Sequence, residues 1–281
     1  MHAYLILAHN EPEVLKRLVR SLDYPTNDIY IHWDKKSGPV PVISTSVSRI
    51  IFISERVDVR WADYSMVEAE LALFSEAFLR GPYEYYHLLS GVDLPIKSQK
   101  YIHETCSRNA GVEYIGFAKP TEKEIYWRTQ HRFIFTGSLR NGPIWKNAIR
   151  KSFLILQDLV RYKRSDCEFR KGPQWVSVTN DFVAYIIERK EWIFTTFNHT
   201  FCPDEMFIPT LCWNSPFRSK VFCFDDEFRS CKRYIKWVDG ELLPLDHGDL
   251  EIMRDSEFWF ARKFSSKDLA LLDLVKELDN G

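Results

Sequence analysis

Short apolar runs alternate with amphipathic stretches along the first third of the chain. Residues 3 to 9 (AYLILAH) read as a buried strand. Asn10 followed by Glu13 has capping-box spacing for a helix that puts Val14, Leu15, Leu18, Val19 and Leu22 on one face. Apolar runs at 28 to 34 and 49 to 54 predict two more strands. Ser65 and Glu68 repeat the capping-box spacing, and Val67, Leu71, Phe74 and Phe78 then form a helical core face that Gly81-Pro82 ends. Residues 85 to 90 (YYHLLS) read as a buried strand running into the loop Gly91-Val-Asp-Leu-Pro-Ile-Lys97. This alternation predicts an α/β fold, a mostly parallel central sheet flanked by helices, with ligands bound at the carboxyl ends of the strands.

Further along, the pattern predicts a strand at 113 to 118, an irregular surface segment over 119 to 147, and a helix carrying Ile149, Phe153, Leu156 and Val160. A strand at 175 to 179, a helix at 181 to 189 and a short helix from about Asp204 follow. Strands near 221 to 224 and 234 to 237 and a terminal helix from Lys267 complete the reading. No repeat, low-complexity tract or linker divides the 281 residues. They are read as one domain, with a donor half at about 1–112 and an acceptor and catalytic half at about 113–281.

Composition narrows the function classes. Lys plus Arg is 38 and Asp plus Glu 39, a net charge of −1, so no global basic field recruits nucleic acid or an anionic membrane, although local basic clusters could still bind phosphate. Apolar residues at 45% exclude a disordered chain. The longest apolar runs fall well short of the roughly 18 residues of a membrane span, and neither a span nor a signal peptide is expected. The six cysteines form no C-x-x-C pair and no zinc spacing with the eight histidines, which predicts reduced thiols in a cytosolic protein. Aromatic residues reach 15%; core packing accounts for most, and stacking on ligand rings is the second use.

Candidate chemistry starts from what is missing. There is no G-x-G-x-x-G, no Walker A sequence, and no D-x-D pair to hold a divalent cation beneath a nucleotide diphosphate. Asp225-Asp226-Glu227 reads as an acidic hairpin turn, with metal binding as its alternative. In Phe201-Cys-Pro-Asp-Glu-Met-Phe-Ile-Pro-Thr210, Pro203 and Asp204 start a short helix with Glu205 in its first turn, where the helix dipole favours a carboxylate whatever its role. In Phe258-Trp-Phe-Ala-Arg-Lys-Phe264, two adjacent cations are embedded among apolar residues. They must meet an anion or water, and a bound phosphate is one solution.

Taken in order, AYLILAHN (3–10), IYIHWDKKS (29–37), VRWADYSMVEAEL (59–71), HLLSGVDLPIKS (87–98), GPQWVSVTNDFVAYII (172–187), CPDEMFIPTL (202–211), RYIKW (233–237) and FARKF (260–264) span nearly the whole chain. The set resembles glycosyltransferase family 14, the core 2 and I-branching β-1,6-N-acetylglucosaminyltransferases and peptide O-xylosyltransferases.

The resemblance implies a GT-A-type nucleotide-sugar-binding fold, inversion at the anomeric carbon and catalysis without a metal cofactor. Glu205 matches the general base, and Arg262 and Lys263 match the cations that hold the diphosphate of UDP, with Arg233 as a third. His9, Asp34 and Trp61 match the nucleotide side of the pocket, and Asp93 its floor. Trp127 and Arg128 in TEKEIYWRTQHR (121–132), together with Trp175, are the candidate acceptor contacts.

The expected donor is UDP-N-acetylglucosamine, with UDP-xylose second. The acceptor is a glycan, polysaccharide or lipid-linked saccharide, and no nucleic acid takes part. The sequence shows no amino-terminal anchor, stem or cysteine framework of the Golgi members. This predicts a compact bacterial-type or viral-type homologue in the cytoplasm, with at most peripheral contact at the inner face of the membrane. Two competing readings are a metal-dependent transferase using Asp225 to Glu227 and a non-catalytic protein that binds sugar nucleotides or glycans.

Overall fold

A computed structural model describes residues 1–136, 143–160, 162, 164, 165 and 167–278. Its main sheet has β1 (His2–Ala8), β2 (Asn27–Trp33), β3 (Arg49–Phe52) and β4 (Tyr85–Ser90) running parallel, with β6 (Ser177–Thr179) antiparallel at one edge, in the order β3-β2-β1-β4-β6. A smaller sheet joins β5 (Leu94–Pro95), β10 (Phe260–Arg262) and β7 (Arg233–Ile235), and β8 (Trp237–Val238) pairs with β9 (Glu241–Leu242). The expected α/β architecture, a mostly parallel sheet flanked by helices, is present.

The helices are α1 (Pro12–Leu22), α2 (Ser65–Arg80), α3 (Gln99–Arg108), α4 (Glu122–Gln130), α5 (Ile144–Leu159), α6 (Asn180–Glu188), α7 (Lys190–Phe197), α8 (Phe207–Trp213), α9 (Glu227–Cys231), α10 (Leu250–Asp255) and α11 (Leu269–Leu278). The strands of the main sheet are short and apolar because both faces are covered. Along β1 the side chains alternate: Ala3, Leu5 and Leu7 pack with Val67, Phe74 and Phe182 on one side, while Tyr4, Ile6 and Ala8 pack with Leu15, Leu18 and Leu271 on the other.

Several expectations need correction. Neither capping box forms. Glu11 is the N-cap of α1 in left-handed backbone, and its carboxylate accepts from Ser265 Oγ and Ser266 N; Tyr64 precedes α2, and Ser65 Oγ accepts instead from Arg60 N. The run 113–118 is no strand. Glu113 and Tyr114 make single bridges to Val221 and Ser177, and 221–224 contributes only that one bridge. The segment read as irregular contains α4, capped by Thr121 Oγ1 accepting from Glu124 N. All six cysteines are free. Among the described residues no helix is long and apolar enough to cross a membrane.

Candidate active site

The carboxyl ends of the parallel strands collect three of the expected residues. His9 follows β1 and is exposed, and Asp34 follows β2 with its backbone N–H bonded to Ala8 O at 2.8 Å. Asp34 Oδ1 accepts from Lys36 N at 3.0 Å, and Lys36 Nζ lies 3.4 Å from Oδ2. Partial desolvation by its neighbours lowers the pKa of the His9 imidazole against the opposing pull of Asp34. Beyond β4 the chain turns so tightly that a Cβ on Gly91 would sit 2.7 Å from the Ala8 Cβ, which requires glycine. That turn carries Asp93 inward, its Oδ2 accepting from Ser90 N at 2.9 Å.

Asp93 is the counter-ion of Arg262. The two are 3.1 Å apart, Oδ1 to Nε, although the pair is out of line for a hydrogen bond. Burial weighs against both charges, raising the Asp93 carboxyl and lowering the Arg262 guanidinium, while their mutual attraction opposes each shift. The guanidinium lies 4.1 Å above the Trp175 ring. Trp175 is buried beneath it and serves as its platform, a different place from the acceptor contact expected. Lys263 is half-buried and makes no ion pair among the described residues. Its segment is tied to the Asp93 turn by Phe264 N donating to Val92 O at 2.9 Å.

Arg233 is a correction. It points into the core, where its guanidinium donates to the carbonyls of Cys231 and Val176 and to Ser177 Oγ and stacks on Phe260. Burial lowers its pKa to about 10, with Cys231 and Asp93 opposing. This side chain adds positive potential behind Asp93 and Arg262; its Nη donors are already taken by core acceptors, while its buried Nε has no hydrogen-bond partner among the described residues.

The other end of the site is built around Glu205. Cys202 in left-handed backbone turns the chain into a single 3₁₀ turn over Pro203–Glu205. One carboxylate oxygen of Glu205 accepts from Arg128 Nη1 at 2.7 Å, and Arg128 Nη2 reaches Glu124 at 3.1 Å, which in turn holds Lys171 at 2.9 Å. Arg128 was expected at the acceptor; the structure puts it on the carboxylate. Phe201 gathers Trp127 at 4.9 Å and Trp61 at 5.9 Å beside this group, and both indoles are partly exposed. Trp61 thus joins the Glu205 end, while the strap before it meets the Asp34 end through Lys35 N and Val57 O at 3.1 Å.

Four residues connect the two ends. Gly172 N donates to Glu205 O at 2.9 Å, and three positions later Trp175 carries Arg262. A Cβ on Gly172 would lie 2.0 Å from Gly116 O, so no other residue fits this close approach.

Beneath Glu205 lies a pair of carboxyls that the sequence reading missed. Glu70 of α2 is fully buried, and Asp204 is half-buried, with its Oδ1 enclosed and close enough to raise the Glu70 carboxyl. Gln174 Nε2 donates to Glu70 Oε1 at 2.6 Å, while Glu70 Oε2 and Asp204 Oδ1 have no hydrogen-bond partner. A signal existed: Glu70 lies three residues after Val67 and four before Phe74, a charge on an apolar helix face. Burial raises Glu70 well above the usual carboxylate range, with Asp204 adding to the shift, and raises Asp204 to about 7, with Glu205 adding to that one.

The native state therefore keeps protons that the unfolded chain releases near pH 4, so stability falls as pH rises from there through about 7 and stays lower above it. Glu70→Gln keeps the acceptor for Gln174 and removes one ionisation. Its thermal midpoint should drop less between about pH 5 and about pH 8 than that of the unmodified chain, by several degrees on the scale of roughly 1.4 kcal/mol per pKa step and 2–4 °C per kcal/mol. Calorimetry giving equal pH slopes for both proteins would exclude this account. Glu113, also raised to about 7 by burial, leaves its own share of the slope in both.

The acidic triplet is not a hairpin turn. Asp226 caps α9 by accepting from Phe228 N and Arg229 N, and Asp225 lies 3.4 Å from Arg229. Glu227 remains within electrostatic reach of Lys171 and Glu205. Among the described residues the one trio with converging ligand atoms is His2, His87 and Cys106, buried in the core; His87 Nε2 and His2 Nδ1 already bond to each other at 3.0 Å.

The sequence profile of Core-2/I-Branching enzymes matches residues 2–258. The chain belongs to the core-2/I-branching enzyme family. A Homo sapiens β-1,3-galactosyl-O-glycosyl-glycoprotein β-1,6-N-acetylglucosaminyltransferase is 24% identical over 93% of this chain and 65% of its own length. The enzyme of that name numbered 3 in Mus musculus is 24% identical over 89% and 55%, and number 4 in Danio rerio is 21% identical over 98% and 68%. The chain thus spans about half to two thirds of the length of these relatives. The solved structure of mouse xyloside xylosyltransferase 1, apo form, overlaps 93% of this chain and 97% of its own with a TM-score of 0.38 and 10% identity. In this core-2/I-branching family member the matched span contains Asp93, Arg128 and Glu205 and stops just before Arg262 and Lys263.

Proposed function

We propose that this chain is an inverting, metal-independent glycosyltransferase of a GT-A type that moves a sugar, N-acetylglucosamine first, from a UDP-sugar to a glycan hydroxyl and forms a β-linkage. The observation that carries the reading is the Gly172 to Trp175 stretch. It ties an oriented carboxylate, Glu205, to the Arg262 platform beside Lys263. The names of the relatives support N-acetylglucosamine as the sugar.

A sugar hydroxyl is a poor nucleophile near neutral pH. In this mechanism Glu205 takes its proton as the hydroxyl oxygen bonds to C1, worth roughly 10²- to 10⁴-fold. Arg128 grips one carboxylate oxygen and leaves the other for that proton. The bond from C1 to the β-phosphate oxygen breaks in the same displacement, and its electron pair leaves with UDP. Lys263 and Arg262 then meet the growing negative charge, the task a divalent ion performs in other transferases. Trp61 and Trp127 offer partly exposed ring faces on which an acceptor sugar can stack.

The test is turnover of UDP-sugars with and without EDTA, scored as transfer or as slow donor hydrolysis. Activity should persist after complete removal of divalent ions. A loss of more than about tenfold, equal to a barrier change of roughly 1.4 kcal/mol, with recovery on Mn²⁺ or Mg²⁺, would replace this reading by a metal-dependent one. Tight UDP-sugar binding without any turnover would leave a binding protein.

A further inference from the structure

Helix α5 is built the wrong way round for a helix on a water-soluble surface. At roughly 100° per residue, Ile144, Trp145, Ile149, Ile155, Leu156 and Leu159 share one side. All six are exposed, Ile144 by 86% and Leu159 by 76%. The opposite side faces the protein and mixes polar groups with the half-buried Phe153 and Leu154. Gln157 is the one buried residue of the helix, accepting from Arg132 N at 2.7 Å and donating to Arg132 O at 3.0 Å. Beside it Asp158 meets His131 at 2.8 Å. The helix is thus fastened through Gln157 and Asp158 with only Phe153 and Leu154 as inward apolar residues, and presents its larger apolar side outward, where an ordinary amphipathic helix does the reverse. A patch of this kind marks a docking surface.

Charge selects the occupant. At the two edges of the apolar side stand Lys146 and Lys151, and Asp158 is the only acid among the described residues 143–165. In sequence the stretch continues with Arg161, Lys163 and Arg164 before Asp166 and Glu168, so residues 143–168 carry six cations and three acids in a chain that is close to neutral as a whole. At one end Trp145 packs against Phe135 at 6.2 Å, with Lys146 Nζ 5.6 Å from each ring. An indole flanked by lysines is the pairing that suits the headgroup layer of a bilayer. A second copy is a poorer fit, because an isologous contact would set this basic stretch against itself.

We propose that the outward side of α5 docks on a bilayer surface rich in anionic lipid, with Leu, Ile and Trp side chains at the acyl boundary and the flanking cations on the headgroups. This docking does not depend on the transferase reading.

The test is flotation of the full chain with vesicles of phosphatidylcholine alone or mixed with phosphatidylglycerol. The chain should float with the mixed vesicles, much less with the neutral ones, and less at high salt. Ile155→Glu with Leu156→Glu should abolish flotation. Lys146→Glu with Lys151→Glu should weaken binding to mixed vesicles by roughly tenfold or more, given about 1 kcal/mol per basic residue near such a surface. Both variants should keep the thermal midpoint and the UDP affinity of the unmodified chain, which separates lost docking from lost folding. Three results overturn the proposal: no flotation of the unmodified chain, unchanged flotation of the Ile155→Glu, Leu156→Glu variant, or a dimer by light scattering that the same variant dissociates while vesicles bind neither form.

Discussion

Glu205→Gln should lower transfer by two or more orders of magnitude and leave UDP affinity nearly unchanged. Glutamine keeps the shape and still accepts a hydrogen bond from Arg128, so the ion-paired geometry at 2.7 Å loses charge and little else. What it cannot do is take the acceptor's proton, and the loss follows the scale of general-base effects. A carboxylate present only because the first helical turn favours it would contribute roughly 0.3 to 1 kcal/mol of stability and nothing to rate. Turnover and UDP titration on the folded variant separate the two. Full activity removes Glu205 from the mechanism, whereas a large loss with intact binding supports it.

Lys263→Ala acts on the opposite end and should fail differently. The diphosphate is already charged in the ground state, so UDP affinity should fall by roughly tenfold or more, the scale of a hydrogen bond to a charged group. Turnover should fall further, since charge on the leaving oxygen grows toward the transition state. Lys263 is the cleaner probe of the two cations. Removing Arg262 would strand Asp93 in the core without its counter-ion, a defect of about 3–5 kcal/mol that mixes folding with binding. Calorimetry that finds UDP binding to Lys263→Ala as tight as to the unmodified chain would take this lysine off the diphosphate.

The sheet was legible because its strands are covered on both faces and so appear as uninterrupted apolar runs, bounded within a residue or two at β1, β2 and β4. Helix α4 was not. Glu122 to Gln130 carries no periodic apolar face, and what holds it is a threonine cap and the ion pairs that run from Lys171 through Glu124 to Arg128. Tertiary partners of that kind leave no local pattern. The first capping box failed for a related reason, since Glu11 takes the N-cap place with its carboxylate held by Ser265 and Ser266, about 250 positions away; the second failed locally, where Ser65 Oγ accepts from Arg60 N.

Within the site, motif position was informative about neighbourhood and silent about direction. The same strip of sheet that carries Arg262 toward Asp93 carries Arg233 inward to core carbonyls, and residue type alone does not distinguish them. Trp175 shows the same limit, since an indole that serves as a platform and one that receives a sugar read alike in a sequence.

The stretch from Gly172 to Trp175 sets how far this chain can drift in length. Each added residue lengthens an extended chain by about 3.3 Å, more than the span of a hydrogen bond, and Gly172 rests directly against the Gly116 carbonyl. Insertions and deletions are therefore expected away from the stretch that spaces Glu205 from Arg262. A working descendant can change nearly any surface connection, but between 172 and 175 it must keep its count.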